Sequence, residues 1–480
     1  VTVIDAGDAS MQATSGTASE WALESYFGRA QYNYDHKYLL EGAIRYDGSS
    51  RFPSSQKYSL FPSVAAGWRI GQENFIKDNY PWINELKIKA SIGVLGNQNI
   101  GNYPYQNALS TGYNYAFGNT ITSGVARNTL TDNTLHWEST RTKDMGLELS
   151  LFKKQLSFSA TYFDKYTYDI LVSPASSVSS VLGFTVGQQN SGKLTNRGWE
   201  FTLEHQKSLG EFSYSVGGNF TYLKNRILDL GVGNILQPNG LTGNGSSLFI
   251  GQPMNIYYGY ETAGLFTDQN DINNWVNQSA IAPNAKPGDI KYKDISGPNG
   301  VPDGVVNATY DRKVLRSTIP KFNFGLNLGA NYKNFDLSVL LQGVAGRKGY
   351  LDNSAGWAFY NQGNVQRWQA DDHWSESNPN ANAAYPRLEV ITNQGTNNTL
   401  TSSFWALNGS FLRLKSVQLG YTIPAAVTQK WKIDNVRMYV TGENLHTWSK
   451  YRQGWDPEII SSGNFYPILS NFTFGINVNF

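Results

Sequence analysis

The amino-acid sequence predicts an all-β fold class, an antiparallel transmembrane β-barrel with long loops at one end. Apolar and polar residues alternate over segments of about ten residues or more, the length of a tilted membrane-spanning strand. No segment approaches the roughly 18 consecutive apolar residues that a membrane-spanning helix requires. The mean hydropathy of −0.41 is compatible with a barrel, because barrel strands turn only every second residue toward lipid.

The alternation is clearest in residues 155–162, 199–204, 211–222 and 321–332. One face of each segment carries Leu, Phe, Tyr or Trp, and the other carries mainly small or polar residues. A soluble β-sandwich or propeller also has alternating strands, but those strands are typically about five or six residues long and their outer faces are rich in charge. Only 16% of the residues are charged, so the membrane barrel is preferred.

Counting alternating segments between turn signals predicts about thirteen strands. Tight turns at 35–37, 152–155, 207–210 and 333–334 alternate with long polar connections near 98–135, 166–195, 225–320, 345–407 and 449–468, as in barrels of the outer membrane. The predicted strands are 24–34, 37–48, 59–70, 85–97, 138–152, 155–168, 196–206, 210–224, 321–333, 335–349, 408–423, 435–449 and 469–480.

The strand count and the last strand both indicate part of a larger barrel. Single-chain bacterial barrels have even strand numbers, whereas the count here is odd, so we expect an N-terminal portion to be absent from this chain. The final strand alternates Phe472, Phe474, Ile476, Val478 and Phe480 with polar residues and glycine. Soluble proteins avoid such a flat apolar edge, and barrel closure removes it.

Composition and motifs argue against several other classes of protein. The net charge of +2 and the lack of a basic arm give no reason to expect nucleic-acid binding, and zero cysteines exclude disulfides. The five histidines are scattered, and no hydrolase or zinc-protease motif occurs. Residues 187–193 match the spacing of a phosphate-binding loop, but Leu194 replaces its Ser or Thr, so we interpret them as a loop. We therefore do not expect an enzyme.

Asp294, Asp303 and Asp311 lie in a glycine-rich segment that superficially resembles a calcium-binding loop. Pro298 and Pro302 interrupt the ligand spacing, and no glutamate closes the loop. We therefore predict a turn-rich loop without a bound metal or cofactor. As the alternative, these three aspartates are weak candidates for binding a Ca²⁺ in the loop.

Tryptophans in the long loops are the candidate substrate-binding residues. Six of them lie among many Asn and Asp residues: Trp275, Trp357, Trp368, Trp374, Trp405 and Trp455. The first four are the candidates that we select. A flat ring can stack on the apolar face of a sugar or peptide while polar groups bind its hydroxyls or amides. The alternative is that these rings only pack the loops together.

Nine stretches in the expected order resemble a known family: SYFGRAQYNYDHKYLL, RYDGSSRF, FPSVAAGWRIGQENF, LKIKASIGVLGNQNIGNYPY, NRGWEFTLE, PGDIKYKDI, FDLSVLLQGVAG, FLRLKSVQLGYTIP and GWDPE. The chain resembles the C-terminal part of the SusC/RagA-like TonB-dependent transporters of Bacteroidota. The resemblance implies an outer-membrane barrel of about twenty-two strands, filled by an N-terminal plug that engages TonB. It also implies a SusD-like surface lipoprotein as partner and import of oligosaccharides or peptides.

Residues 1–480 are accordingly expected to form one domain, the C-terminal part of such a barrel, with the plug and first strands outside this chain. The preferred hypothesis is TonB-dependent nutrient import across the outer membrane. The alternatives are a passive porin-like channel, and a surface adhesion or structural barrel through which nothing passes. The identity of the substrate does not follow from the sequence.

Overall fold

The central feature of the computed structural model is one 13-stranded antiparallel sheet in which every strand pairs with its neighbours in sequence order. The structure describes residues 18–173, 179, 181, 183–231, 235–236, 240–243, 248–392, 394–459, 466 and 468–480. The sheet strands are β1 (Leu23–Tyr34), β2 (Tyr38–Ser49), β3 (Tyr58–Arg69), β4 (Ile83–Asn97), β5 (Glu138–Leu151), β6 (Leu156–Val172), β7 (Gln189–Leu209), β8 (Phe212–Asp229), β9 (Phe322–Tyr332), β10 (Phe335–Ala345), β11 (Phe411–Thr422), β12 (Asn435–Ser449) and β13 (Asn471–Asn479). All thirteen predicted strands are thereby confirmed.

The strand bounds differ from prediction mainly beside the long loops. β7 begins at Gln189 rather than at 196, so the phosphate-loop-like segment is largely strand and our interpretation of it as loop was wrong. Its polar residues are held by hydrogen bonds rather than by apolar packing: Asn190 Nδ2 donates to the carbonyl oxygens of His136 and Asp169, both at 2.8 Å. Alternation of apolar residues therefore could not reveal this extension.

The predicted strand 335–349 is too long. β10 ends at Ala345, because Gly346 adopts a positive φ of 79° that turns the chain away from the sheet. Residues Lys348–Tyr350 instead pair with Ala406–Asn408 in a separate ribbon.

The connections are mostly short at one end of the sheet and mostly long at the other. One end, called the short-turn end, has the connections 35–37, 70–82, 152–155, 210–211, 333–334 and 423–434. The opposite, long-loop end has 50–57, 98–137, 173–188, 230–321, 346–410 and 450–470. This asymmetry confirms the predicted pattern of turns, which is typical of outer-membrane barrels.

Short elements decorate these connections. The α-helices are α1 (Asn74–Asn79), α2 (Gln269–Asn273), α3 (Asn353–Gly356), α4 (Arg367–Asp371) and α5 (Ala425–Thr428), and the 3₁₀ turns are Ile70–Gln72, Asn397–Thr399 and Gln429–Trp431. The remaining strands are Ser110–Thr111, Tyr115–Phe117, Thr120–Thr122, Val125–Ala126, Thr129–Leu130, Thr185–Val186, Ile235–Leu236, Thr242–Gly243, Phe249–Ile250, Ile256–Tyr260, Thr262–Leu265, Ile290–Tyr292, Arg312–Ser317, Lys348–Tyr350 and Ala406–Asn408. Within the described ranges, every helix is too short or too polar to cross a membrane.

The register gives the sheet one apolar and one polar face. In the middle of the sheet Leu326 lies opposite Gly218 and Leu341 on the apolar face. The next residue, Asn327, lies opposite Gly217 and points to the other face. The apolar face is solvent-exposed in this chain: Leu326 is 38% exposed and Ile92 is 46% exposed. Such an exposed apolar surface suits contact with lipid.

Aromatic rings border the apolar face at both ends. Near the long loops Tyr162 and Trp199 lie 5.2 Å apart, and the row continues through Tyr222 to Phe322. Near the short turns Tyr34, Tyr38 and Trp68 form a second row with ring separations of 6.4 and 6.3 Å. Aromatic belts of this kind mark the two membrane–water interfaces.

Within the described residues the sheet is open. β1 pairs on one side only, with β2, and β13 pairs on one side only, with β12. Residues of both edge strands are exposed on both faces along almost their whole length.

We expect arginine to be tolerated on the polar face but not on the apolar face. Leu326→Arg should lower the free energy of unfolding of the complete protein from lipid vesicles by about 2–4 kcal/mol, since it places a cation near the bilayer midplane. The matched control is Asn327→Arg, one residue further along the strand and opposite Gly217. This variant should change the free energy of unfolding little. Equal losses in urea titrations of the two variants would contradict the assignment of the faces.

Candidate functional site

The two longest loops fold together into one compact body at the long-loop end. Described residues of connections 230–321 and 346–410 share an apolar core, which we call the loop assembly; its buried members are Tyr260, Leu265, Ala282, Ile290, Tyr292, Val306, Tyr350, Ala358, Trp374, Ala383, Tyr385 and Trp405. Backbone hydrogen bonds join the two loops directly, from Tyr260 N to Thr401 O and from Leu265 N to Ala381 O, both at 2.9 Å. The described residues of the two loops therefore pack as one structure.

A buried polar hub fixes the two loops against each other. Asp289 is 1% exposed, and its Oδ1 accepts hydrogen bonds from Arg387 Nε at 2.6 Å and from Asn398 Nδ2 at 2.8 Å. Arg387 also donates to Glu389 at 2.6 Å, and Asn398 Oδ1 accepts from the backbone N–H of Ile290 at 2.9 Å. Because each buried charge has a partner, the hub holds the loops in one arrangement.

Two buried tyrosines extend this hub into the apolar core. The hydroxyl of Tyr292 donates to the carbonyl of Asn397 at 2.6 Å, and burial raises the pKa of Tyr292 well above its ordinary value. The hydroxyl of Tyr385 accepts from the N–H of Ala358 at 2.7 Å, and burial raises the pKa of Tyr385 to about 12. Both phenols therefore stay neutral and serve as structural hydrogen-bonding groups.

A third connection, of which residues 450–459, 466 and 468–470 are described, is fastened to the sheet by an arginine. Arg413 on β11 is 1% exposed and forms ion pairs with Asp456 at 2.5 Å and with Glu458. Its Nε donates to Thr447 Oγ1 at 2.9 Å, and its guanidinium lies over the Phe411 ring. An arginine buried with two carboxylates holds this connection over the polar face.

The third connection also contacts the loop assembly. The indole N–H groups of Trp368 and Trp455 both donate to Gln366 Oε1, at 2.9 and 2.8 Å. The guanidinium of Arg452 lies 4.1 Å from the centre of the Trp368 ring. This guanidinium forms no ion pair or side-chain hydrogen bond with any residue that the structure describes. Burial lowers the pKa of Arg452, and the charge of Asp372 partly opposes that shift. An unpaired cation beside two indoles is available to a polar or anionic ligand.

Two clefts open beside these residues. One, of about 710 Å³, is lined by the third connection, including Tyr451, Arg452 and Trp455. The other, of about 510 Å³, lies between the two long loops and is lined by Trp374, Lys286, Glu376 and others. Both have the size of sites that take small ligands or a segment of a larger one.

The four predicted tryptophans all lie in the loop assembly, in different settings. Trp374 is 7% exposed and is one of the residues that line the 510 Å³ cleft. Trp357 and Trp368 are half-buried and pack against the core, while Trp275 donates from Nε1 to Tyr292 O at 3.0 Å and lies below Lys291. All four rings thus help to pack the loops, and their role in substrate binding stays a prediction.

The predicted aspartates bind backbone amides. Asp311 is fully buried and accepts from the N–H groups of Ile295 at 2.8 Å, Ser296 at 3.2 Å and Asn307 at 2.7 Å. Asp294 accepts from Gly304 N at 2.5 Å, and Asp303 from Val305 N at 3.0 Å. In the part of the chain that the structure describes, no three His, Cys, Asp or Glu side chains converge as a metal site. The carboxylates thus shape this loop, and a bound Ca²⁺ stays an untested prediction.

Several residues of this site were not predicted from the sequence. Arg413 and Arg452 were not singled out, although Arg413 lies in the stretch FLRLKSVQLGYTIP and Trp455 in GWDPE, which carry the family resemblance. A lone arginine in a polar stretch gives no periodic signal. Only the fold shows that Arg413 is buried and that Arg452 forms no ion pair with any described residue.

The polar face below the loops is divided into a charged and a neutral part. Strands β1–β5 carry paired charges, such as Arg29–Glu41 at 2.7 Å, Arg69–Glu85 at 2.6 Å and Lys89–Glu148 at 2.6 Å. On β8 and β9 the polar face consists of Ser213, Ser215, Gly217, Asn219, Thr221, Asn323, Gly325, Asn327, Gly329 and Asn331. The small, neutral part offers hydrogen bonds without strong charge.

We expect loss of the hub to loosen the loop assembly without unfolding the sheet. Arg387→Ala leaves the buried Asp289 carboxylate without a cation, a change that typically costs about 3–5 kcal/mol. Hydrogen exchange measured by mass spectrometry should rise in residues 255–311 and 381–403 and stay unchanged in β5–β8. Arg367→Ala is the matched control, because Arg367 is 93% exposed in its pair with Asp371. Unchanged exchange in the Arg387 variant would show that the hub is not needed.

Comparisons with known proteins agree with this architecture. The family described as "TonB dependent receptor-like, beta-barrel" matches residues 2–445. The chain is 31% identical to TonB-dependent receptor P26 of Formosa agariphila over 96% of its own length and 46% of that relative's. It is 29% identical to TonB-dependent receptor SusC of Bacteroides thetaiotaomicron over 98% of its own length and 45% of that relative's. It thus spans less than half of these relatives.

Solved structures show the same fold. The RagAB peptide importer in its "closed-closed" state superposes with a TM-score of 0.75 at 25% identity, covering 96% of this chain and 48% of that chain. The "open-open" state gives a TM-score of 0.77 at 24% identity, covering 98% and 48%. With the family match over nearly the whole sequence, these findings show that the chain belongs to the TonB-dependent receptor β-barrel family of the bacterial outer membrane.

Proposed function

We propose that this chain is the C-terminal part of a TonB-dependent importer that takes up oligosaccharides or peptides, together with a SusD-like surface lipoprotein. The observation that carries the proposal is an ordered loop assembly with two clefts, held above a sheet whose polar face is partly small and neutral. A ligand first bound in the clefts would next meet hydrogen-bonding groups along β8 and β9. The chain has no catalytic role in this proposal.

In this proposal, further barrel strands and a plug from outside this chain complete the receptor. The unpaired edges of β1 and β13 support it, because exposed backbone groups cannot remain without partners in lipid. The relatives that the chain matches are about twice as long, which leaves room for both parts. TonB would act on the plug, outside this chain.

The ligand class is inferred from the chemistry of the clefts. Trp374 and Trp455 contribute apolar indole surface to the clefts, and Arg452 offers a cation that forms no ion pair with any described residue. Such groups suit sugars as well as the backbone or carboxylate groups of peptides. One similar solved structure is described as a peptide importer.

Uptake by cells tests the proposed transport. Cells that carry the gene should accumulate at least one labelled member of a panel of oligosaccharides and peptides, and cells without it should not. Collapse of the proton-motive force should stop this uptake, since TonB depends on inner-membrane energy. Uptake that persists without energy would indicate the passive channel, and uptake unaffected by loss of the gene across the panel would indicate an adhesion or structural barrel.

A pair of tryptophan variants tests the cleft between the long loops. Trp374→Phe should weaken binding of the transported ligand at least about tenfold, because a smaller ring replaces the indole in the lining of the cleft. Trp405→Phe is the control: Trp405 lies in the same core and donates to Asn398 O at 2.8 Å, but it does not line the cleft. Calorimetry on the complete receptor should show normal affinity for this control. If both variants bound the ligand with equal affinity, Trp374 would not be part of the binding site.

A further inference from the structure

Two rows of polar and charged side chains lie on the apolar face, directly above the aromatic row at the long-loop end. The first row crosses β5–β8 as Lys143, Asp164, Arg197 and Lys224, each opposite the next. The second row lies two residues nearer the loops and consists of Arg141, Tyr166, Thr195 and Arg226. We call these rows the basic belt. They follow the row of Met145, Tyr162, Trp199 and Tyr222 without interruption.

The basic belt has an excess of exposed positive charge. All five of its cations are exposed, and Asp164 is its one carboxylate. Asp164 neutralises Arg197 across 3.1 Å, and Arg141 lies over the Tyr166 ring at 5.4 Å. Lys143, Lys224 and Arg226 form no ion pair with any described residue. This charge is local, since the whole chain carries a net charge of only +2.

The position of the belt indicates where its ligand lies. Outward cations within the hydrocarbon would be destabilising, whereas aromatic rings of a membrane barrel lie at headgroup level. The belt begins one register step beyond the Tyr162–Trp199–Tyr222 rings, so its side chains reach the headgroup layer on the outside of the barrel. They therefore face lipid and not the path of an imported nutrient.

We propose that the basic belt binds the phosphate groups of an outer-leaflet lipid. Lys and Arg are the side chains that bind phosphate most strongly, through charge-assisted hydrogen bonds. Neighbouring strands lie about 4.8 Å apart and alternate residues about 7 Å apart, so the belt covers roughly 14 by 7 Å. This area fits a headgroup with two phosphates, and the aromatic row below it would contact the acyl chains.

A neighbouring cleft extends the same positive surface toward the loops. It measures about 690 Å³ and is lined by Lys224, Arg316 and Lys321 among others. None of the described residues that line it carries a carboxylate. A headgroup larger than two phosphates would continue into this cleft.

Lipid binding by the complete receptor tests the proposal, with diphosphorylated lipid A in detergent as the probe and native mass spectrometry as the readout. The neutral variant Lys143→Gln, Arg197→Gln, Lys224→Gln, Arg226→Gln should bind at least about tenfold more weakly, because each cation near a charged headgroup contributes to affinity. The swapped variant Lys143→Arg, Arg197→Lys, Lys224→Arg, Arg226→Lys keeps the charge and should bind within about twofold of wild type.

A matched control removes cations from the other end of the same strands. Lys153→Gln, Lys154→Gln, Lys207→Gln changes three exposed lysines at the short-turn end and should bind lipid A like wild type. Retained binding by the neutral variant would overturn the proposal, and so would equal binding of dephosphorylated lipid A. Full competition by inorganic phosphate would likewise overturn it, since the ligand would then be soluble and not a lipid. Nutrient uptake by the neutral variant is a separate readout, so this result does not depend on the proposed transport.

Discussion

The structure depends on one constraint: inside a bilayer each backbone N–H and C=O group must find a partner within the protein. An uninterrupted antiparallel ladder meets this requirement, and the thirteen strands pair strictly in sequence order. The ladder in turn forces side chains to alternate between lipid and interior. The apolar face with its two aromatic rows, and the opposite face with its serines, asparagines and glycines, both follow from that alternation.

Different interactions stabilise the loops, because water and not lipid surrounds them. Apolar burial supplies the core of the loop assembly, and the Asp289–Arg387–Asn398 hub fixes its geometry. Burial of a charge is unfavourable unless it is paired, so such a hub stabilises only the arrangement in which every partner is present. Arg413 plays the same part for the third connection, where two carboxylates meet one guanidinium. Clefts lined by aromatic rings can persist only on loops held in this way.

The sequence predicted which types of residue the candidate site contains. It did not predict how these residues are arranged in space. Loop tryptophans were expected to contact substrate, and Trp374 does line a cleft although it is largely buried. Asp311 was a weak candidate for calcium, and the structure shows its oxygens accepting backbone N–H groups, which leaves the calcium prediction untested. Arg452 gave no signal in the sequence. Its importance arises from its surroundings: it lies over a tryptophan ring and forms no ion pair with any described residue.

The sequence by itself determined the barrel strands, their two faces and the end that carries the long loops, because a period of two residues is a local property of the chain. Its family-specific stretches also indicated the TonB-dependent receptor family. Only the tertiary structure decided which loop residues meet, since Asp289 contacts partners 98 and 109 positions away. It also decided that five scattered cations form a single belt, because register, and not spacing along the chain, places Lys143, Arg197 and Lys224 in one row.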